Sequence, residues 1–243
     1  MFVIGGVQKT TLVDFPQRVA AIVFTQGCNF RCGYCHNPSL INYEFTCANT
    51  THNDVIASNK ETKQFHEFLS FLQTRIGKLD GVVISGGEPT LQSGLYDFIK
   101  EIKQMGFEVK LDTNGTNPKI VECLISDNLL DYIAMDIKAP IEKYDVITCT
   151  KINKDNVLKT IEILKNSSVN YEFRTTVLKS QLSFDDFEKI GQIIKGAKCY
   201  YLQKFVSSEI LDRNLINETT YTDEEFKIIC HKLEKYVEFV SVR

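Results

Sequence analysis

Three cysteines carry the first chemical signal in this chain. They lie in Gln26-Gly-Cys28-Asn-Phe-Arg-Cys32-Gly-Tyr-Cys35-His-Asn-Pro38, spaced by four and then three residues in a loop that holds glycines and stops at a proline. Three soft thiolates in so short a loop can wrap one compact centre, either zinc or an iron–sulfur cluster. Ligand number separates the two. A closed structural zinc site needs a fourth ligand, and the local candidate, His36, sits beside Cys35, where chelation together with all three cysteines is awkward. A cubane on three cysteines instead leaves one iron without a protein ligand, open to a substrate.

The other cysteines, Cys47, Cys123, Cys149, Cys199 and Cys230, are isolated in sequence, with Cys123 and Cys230 on or near apolar helix stripes, so buried packing is expected of them. His52, His66 and His231 have no ligand-spaced partners and are expected to be surface or packing residues.

The elements that must position the triplet follow from periodicity. Short β-rich runs at Ala20 to Thr25, Gly81 to Ser85, Phe107 to Asp112, Tyr132 to Asp136, Tyr171 to Thr175 and Cys199 to Gln203 predict buried strands. Between them, Phe65, Phe68, Leu69, Leu72 and Ile76 repeat at helical spacing up to Gly77, and Leu95, Phe98, Ile99, Ile102 and Met105 do so before Gly106. Asn117-Pro118 opens a further helix, and Ser183 with Asp186 and Thr222 with Glu225 predict capping boxes. Val237 to Val242 alternates like an added edge strand, whereas the polar stretch from Ile41 to Lys60 has no period and predicts a surface loop.

Alternating strands and helices imply a parallel sheet with right-handed crossovers, either open and doubly wound or rolled into a partial or complete barrel. Six strand–helix units can be counted rather than eight. The strands end in Ser85-Gly-Gly-Glu-Pro89, Asp112-Thr-Asn-Gly115, Asp136-Ile-Lys138, Arg174-Thr-Thr176 and Gln203-Lys-Phe205. Parallel α/β folds build their sites at the carboxyl ends of strands, so these clusters are expected to share one mouth.

Composition narrows the class. With 243 residues, 43% hydrophobic and 24% charged, the chain can bury an ordinary core. Its net charge of −3 and its lack of dense basic runs give no signature of nucleic-acid binding. No apolar stretch reaches the roughly 20 residues that span a bilayer, and no signal peptide is legible, so no membrane association and a cytoplasmic location are expected. In that reducing compartment the 8 cysteines are thiols, ligands or nucleophiles rather than disulfides.

The Cys-x-x-x-Cys-x-x-Cys triplet after a first strand, with Tyr34 before the last cysteine, resembles the radical S-adenosylmethionine superfamily, as do Ser85-Gly-Gly-Glu-Pro89 and Asp112-Thr-Asn-Gly115. Asp14-Phe-Pro16, Phe24-Thr-Gln-Gly-Cys-Asn-Phe-Arg-Cys32, Cys35-His-Asn-Pro38 and Tyr201-Leu-Gln203 resemble, more closely, the activating proteins of anaerobic ribonucleoside-triphosphate reductase, kin to pyruvate formate-lyase activating enzyme. Two departures stand out: Gln17 replaces an expected glycine after Asp-Phe-Pro, and the stretch from Ile41 to Lys60 is longer and more polar than the resemblance implies.

The resemblance implies one radical SAM domain over residues 1–243. Its fold would be a partial (β/α)6 TIM-like barrel with a small N-terminal hairpin and a C-terminal helix plus edge strand. It also implies a 4Fe-4S cluster on Cys28, Cys32 and Cys35, with the methionyl group of S-adenosylmethionine on the open iron. Gly86 and Gly87 would let backbone approach and accept from the ligand ammonium, and Glu88 would support that charge, unless the glycines only start the next helix. Asp112 and Asp136 would hold ribose hydroxyls or a cation near the ligand carboxylate, with Asn114 beside them in the same motif. Lys138 and Arg174 would balance that carboxylate, or pair with the aspartates and only brace the mouth. Tyr34 would pack beside the adenine or anchor its loop.

The activity implied is reductive cleavage of S-adenosylmethionine and installation of a glycyl radical on a partner enzyme, with a flavodoxin or ferredoxin as electron donor. Two alternatives remain open on sequence: a small-molecule radical enzyme resembling the 7-carboxy-7-deazaguanine synthases, and a non-catalytic zinc scaffold.

Overall fold

Apolar runs flanked by glycine, asparagine or aspartate form strands where their pattern places them. The computed structural model describes residues 2–42 and 52–243, the backbone alone over 52–62. The chain divides into two compact units: Met1–Asn29, Ser39–Asp112 and Cys123–Tyr132 in the first, and Phe30–Pro38, Thr113–Glu122 and Ile133–Arg243 in the second.

The first unit carries strands β1 (Ile4–Thr11), β2 (Ala20–Thr25), β3 (Gly81–Gly86) and β4 (Glu108–Thr113), ordered β1-β2-β3-β4. β1 runs antiparallel to β2, forming the N-terminal hairpin, while β2, β3 and β4 are parallel. Register opposes Thr25 to Gly86 and Ile84 to Leu111, so Cys28 just after β2, the Gly-Gly turn after β3 and Asp112 share one end. Helices α1 (His52–Gln73) and α2 (Leu95–Gln104) cover this sheet, and Phe98 of α2 meets Phe2, Phe65 and Phe68 at centroid distances of 4.0, 5.2 and 5.9 Å. Phe15, Ala20, Ile22 and Val83 form a buried cluster beside Phe24 and Tyr132. Helix α3 (Pro118–Ser126) contributes residues to both units.

The second unit carries β5 (Tyr132–Asp136), β6 (Asn170–Val177), β7 (Tyr200–Lys204) and β8 (Val240–Val242), again in chain order, with β6, β7 and β8 parallel. Its helices are α4 (Tyr144–Ile147), α5 (Lys154–Lys165), α6 (Phe184–Ile193) and α7 (Asp223–Leu233). Both predicted capping boxes are present, Ser183 with Asp186 on α6 and Thr222 with Glu225 on α7. Tyr221 packs edge-on against Phe184, Phe187 and Phe226, joining α6 to α7. Each strand from β2 to β7 is followed by a helix, β2, β3 and β4 are parallel as are β6, β7 and β8, and the sheet order does not close on itself: an α/β fold on an open parallel sheet, as a partial barrel requires. Among the described residues no helix is long and apolar enough to cross a membrane.

Three expectations need correction. The stretch from Ile41 to Lys60 is not loop throughout: α1 begins at His52, since Ala, Lys, Glu and Gln favour helix without an apolar stripe to announce it. Residues 43–51, with Cys47, lie outside the described residues. At its other end α1 stops at Gln73, not at Gly77. Thr74 and Arg75 donate to Phe71 and Leu72 in tighter turns, and Ile76 is left exposed. Cys123 and Cys149 are exposed rather than packed inside, because α3 turns Val121 and Leu124 to the interior while Cys149 sits in a turn at φ 50°.

Candidate active site

In the first unit, the chain leaving β2 passes through Gly27 at φ 93° before reaching Cys28, a conformation that favours glycine. The Gly27 and Cys28 amides donate to Leu40 and Ile41 carbonyls at 2.7 and 3.2 Å. On the other side, the Gly87 and Glu88 amides donate to Thr25 and Gly27 carbonyls at 2.9 and 2.8 Å. A Cβ on Gly87 would stand 2.0 Å from the Gly27 oxygen. Glycine at 87 is therefore demanded by the close approach of two backbones, which fixes the first cysteine against the β3 end.

Glu88 is buried, and its Oε1 accepts from the Thr90 amide at 3.1 Å and the Thr90 hydroxyl at 2.6 Å, capping the turn Pro89–Leu91. Asp112 accepts from Ser85 Oγ at 3.0 Å and pairs with Lys110 Nζ. Lys110 is 2% exposed, a lysine inside a strand. Sequence reasoning missed it, although its place two residues before Asp112 puts both on one strand face.

In the second unit, Asp136 at the end of β5 accepts from Lys138 Nζ and from Arg174 Nε of β6, each at 2.9 Å. Burial works against the Asp136 charge, but Arg174 and Lys138 outweigh it and hold the carboxyl down at about 2. The ion cluster that brace-only pairing would give is thus present. Tyr144, also missed, accepts the Lys138 amide through its hydroxyl at 3.1 Å. Asn114 is buried, with Oδ1 accepting from the Thr116 amide and hydroxyl at 3.1 and 2.7 Å in a turn that leads to Gly115 at φ 77°.

Cys32 is buried and Cys35 half-buried, their turn closed by a Cys35 amide bond to the Cys32 carbonyl at 3.0 Å. Burial pushes the Cys32 thiol up to about 11 although Lys138 pulls the other way. Tyr34 between them is 4% exposed, its ring 6.0 Å from Lys138 Nζ, and its buried hydroxyl has no hydrogen-bond partner among the described residues. Such an orphaned hydroxyl near the buried Cys32 thiol and the Lys138 cation suits a bound group. No described cysteine is in a disulfide. Among the described residues no three His, Cys, Asp or Glu side chains are set closely enough to hold a metal ion. Soft thiolates are the donor type that iron–sulfur clusters take.

Comparison with known proteins agrees. An inferred glycyl-radical enzyme activating enzyme of Methanocaldococcus jannaschii is 29% identical over 245 residues, covering 99% of this chain and 95% of that protein. The pyruvate formate-lyase-activating enzyme of Clostridium pasteurianum is 29% identical over 199 residues, covering 80% of this chain and 77% of that enzyme. Streptococcus suis SuiB bound to S-adenosylmethionine shares the fold with a TM-score of 0.63 at 13% identity, over 90% of this chain and 48% of that one. QueE from Escherichia coli shares it with a TM-score of 0.51 at 17% identity, over 100% of this chain and 93% of that one. Residues 22–192, well over half of the chain and spanning the cysteine triplet through Arg174, match the model of the Radical SAM superfamily. The chain therefore belongs to the radical SAM superfamily, enzymes that work with a 4Fe-4S cluster and S-adenosylmethionine.

Proposed function

We propose that this enzyme is a glycyl-radical-enzyme activase whose target is an anaerobic ribonucleoside-triphosphate reductase, and that residues 1–243 act as one catalytic domain in the cytoplasm. Kinship to activating enzymes along nearly the whole chain carries the first part. The motifs Asp14-Phe-Pro16, Cys35-His-Asn-Pro38 and Tyr201-Leu-Gln203 carry the choice of reductase.

Cys28, Cys32 and Cys35 would hold the cluster, three thiolates being one fewer than its four irons, so that S-adenosylmethionine could bind to it. When bound, the cluster would supply the one electron needed for reductive cleavage of S-adenosylmethionine to methionine and a 5′-deoxyadenosyl radical, which would take a hydrogen atom from a partner's glycine. The peptide at Gly86 and Gly87 faces the ligand ammonium, with the Glu88 carboxylate held rigid behind it by Thr90. Lys138 and Arg174 balance the ligand carboxylate while keeping Asp136 ionised. Asp112, oriented by Lys110 and Ser85, and Asp136 serve ribose hydroxyls or a cation, and Asn114 stiffens the adjoining turn. Tyr34 packs beside the adenine. A flavodoxin or ferredoxin delivers the electron.

The test is anaerobic incubation of reconstituted enzyme with S-adenosylmethionine, reductant and either anaerobic ribonucleotide reductase or pyruvate formate-lyase. A glycyl radical spectrum on the reductase is expected. A silent reductase beside a radical-bearing lyase would reassign the target, and silence of both with deoxyadenosine released would point to a small-molecule substrate.

A further inference from the structure

The segment after β7, residues 205–216, reaches back to the cysteine loop within the second unit. The Asp212 amide donates to the Gly33 carbonyl at 2.8 Å. A Cβ on Gly33 would meet Leu215 Cδ1 at 2.9 Å and Asp212 Cβ at 3.2 Å, so segment and loop touch with no room for a side chain. Further along the loop, His36 Nδ1 lies 2.9 Å from Ser208 Oγ, and the His36 ring stacks on Phe205 at 6.1 Å between centroids. These contacts fall on Gly33 and His36, the residues that bracket Tyr34 and Cys35. Local bonds shape the segment for this contact. Asp212 Oδ1 accepts from the Asn214 amide at 3.0 Å and caps the turn Arg213–Leu215, which presents Leu215 to Gly33. Nothing in the cleavage chemistry requires these contacts, yet they grip the loop on both sides of one proposed ligand.

We propose that residues 205–216 are a clasp that holds Tyr34 and Cys35 in position and limits access of solvent and small chelators to the Cys35 side of the cluster. Ser208 and Asp212 are positioning residues, acting through His36 and Gly33. The clasp rests on Cys35 being a cluster ligand, and the two can fail separately. A neutral hydrogen bond contributes about a factor of five to the closed population, and steric displacement of the whole segment contributes more.

The test compares wild type with Ser208→Ala, Ser208→Thr, Gly33→Ala and the double change Gly33→Ala/Leu215→Ala. In cluster-free protein, amide exchange over residues 30–38 should quicken about fivefold in Ser208→Ala and about tenfold or more in Gly33→Ala. Ser208→Thr, which keeps the hydroxyl, should match wild type. In reconstituted protein, iron loss to an added chelator should accelerate by about the same factors, and Leu215→Ala should bring Gly33→Ala back to within about threefold of wild type by removing the closest clash. Unchanged exchange and unchanged iron loss in both Ser208→Ala and Gly33→Ala would overturn the clasp, as would a Leu215→Ala change that worsens Gly33→Ala. A Cys35→Ala protein that keeps its full iron would instead overturn the ligand assignment while leaving the exchange result to judge the clasp.

Discussion

Replacing Asp136 by asparagine removes the carboxylate that pairs with both Lys138 and Arg174. All three side chains are largely buried, at 27%, 14% and 13% exposure, and both pairs close at 2.9 Å. The carboxyl is held at about 2 against an ordinary value of 3.8, which corresponds to about 2 kcal/mol of stability at neutral pH. Asparagine keeps the shape but removes the charge on which both of these largely buried ion pairs depend, and breaking a buried pair costs about 3–5 kcal/mol in comparable cases. The expected cost is about 3 kcal/mol. With a urea dependence of about 3 kcal/mol per molar for a chain of this size, the unfolding midpoint of cluster-free protein at pH 7 should fall by about 1 M. The sign with pH follows from a depressed carboxyl. Its contribution is complete above the unfolded value, falls to about half by pH 3, and vanishes once pH drops through 2. The gap between wild type and Asp136→Asn should therefore narrow from pH 5 to pH 3. Midpoints equal within about 0.2 M at pH 7 would refute the ion cluster as a stabilising feature.

Cys32→Ala should lose cluster iron. Because burial holds the wild-type Cys32 thiol at about 11 and ligation requires the thiolate, cluster assembly in vitro should speed up from pH 7 to pH 9, as timed by the growth of visible absorption. Glu88→Ala removes the cap on Pro89–Leu91 and should cost about 1–2 kcal/mol in denaturant unfolding, keep its cluster, and bind S-adenosylmethionine more weakly in equilibrium dialysis. Gln17 sits at φ 60°, a backbone region that penalises a side chain, so Gln17→Gly should raise stability by about 0.5–1 kcal/mol despite the added freedom of the unfolded chain.

The strands were legible because their signals are local. Ala20–Thr25 and Tyr132–Asp136 are continuous apolar runs ended by a polar turn, and their bounds match the expected ones. The cysteine triplet was legible because ligand spacing is itself a sequence property. Gln17 could be flagged as a misfit, but only the backbone shows why glycine suits that place. What stayed hidden depends on tertiary neighbours. Gly87 looked like a ligand-facing glycine, whereas its first constraint is the Gly27 carbonyl at 2.0 Å from where a Cβ would be. Lys110 passed unnoticed because burial of a lysine is decided by its partner Asp112, and the capping role of Glu88 because a turn three residues long has no periodic signature. The first turns of α1 escaped for a related reason, since a polar helix carries no stripe to read.

The central claim is a cluster with one iron that no side chain of this chain fills. Electron paramagnetic resonance of the reduced, anaerobically reconstituted protein, with and without S-adenosylmethionine, tests it most directly. A cubane signal that changes on adding S-adenosylmethionine, and that disappears in Cys32→Ala, is the predicted result. A signal indifferent to S-adenosylmethionine, or a colourless protein carrying stoichiometric zinc, would contradict it.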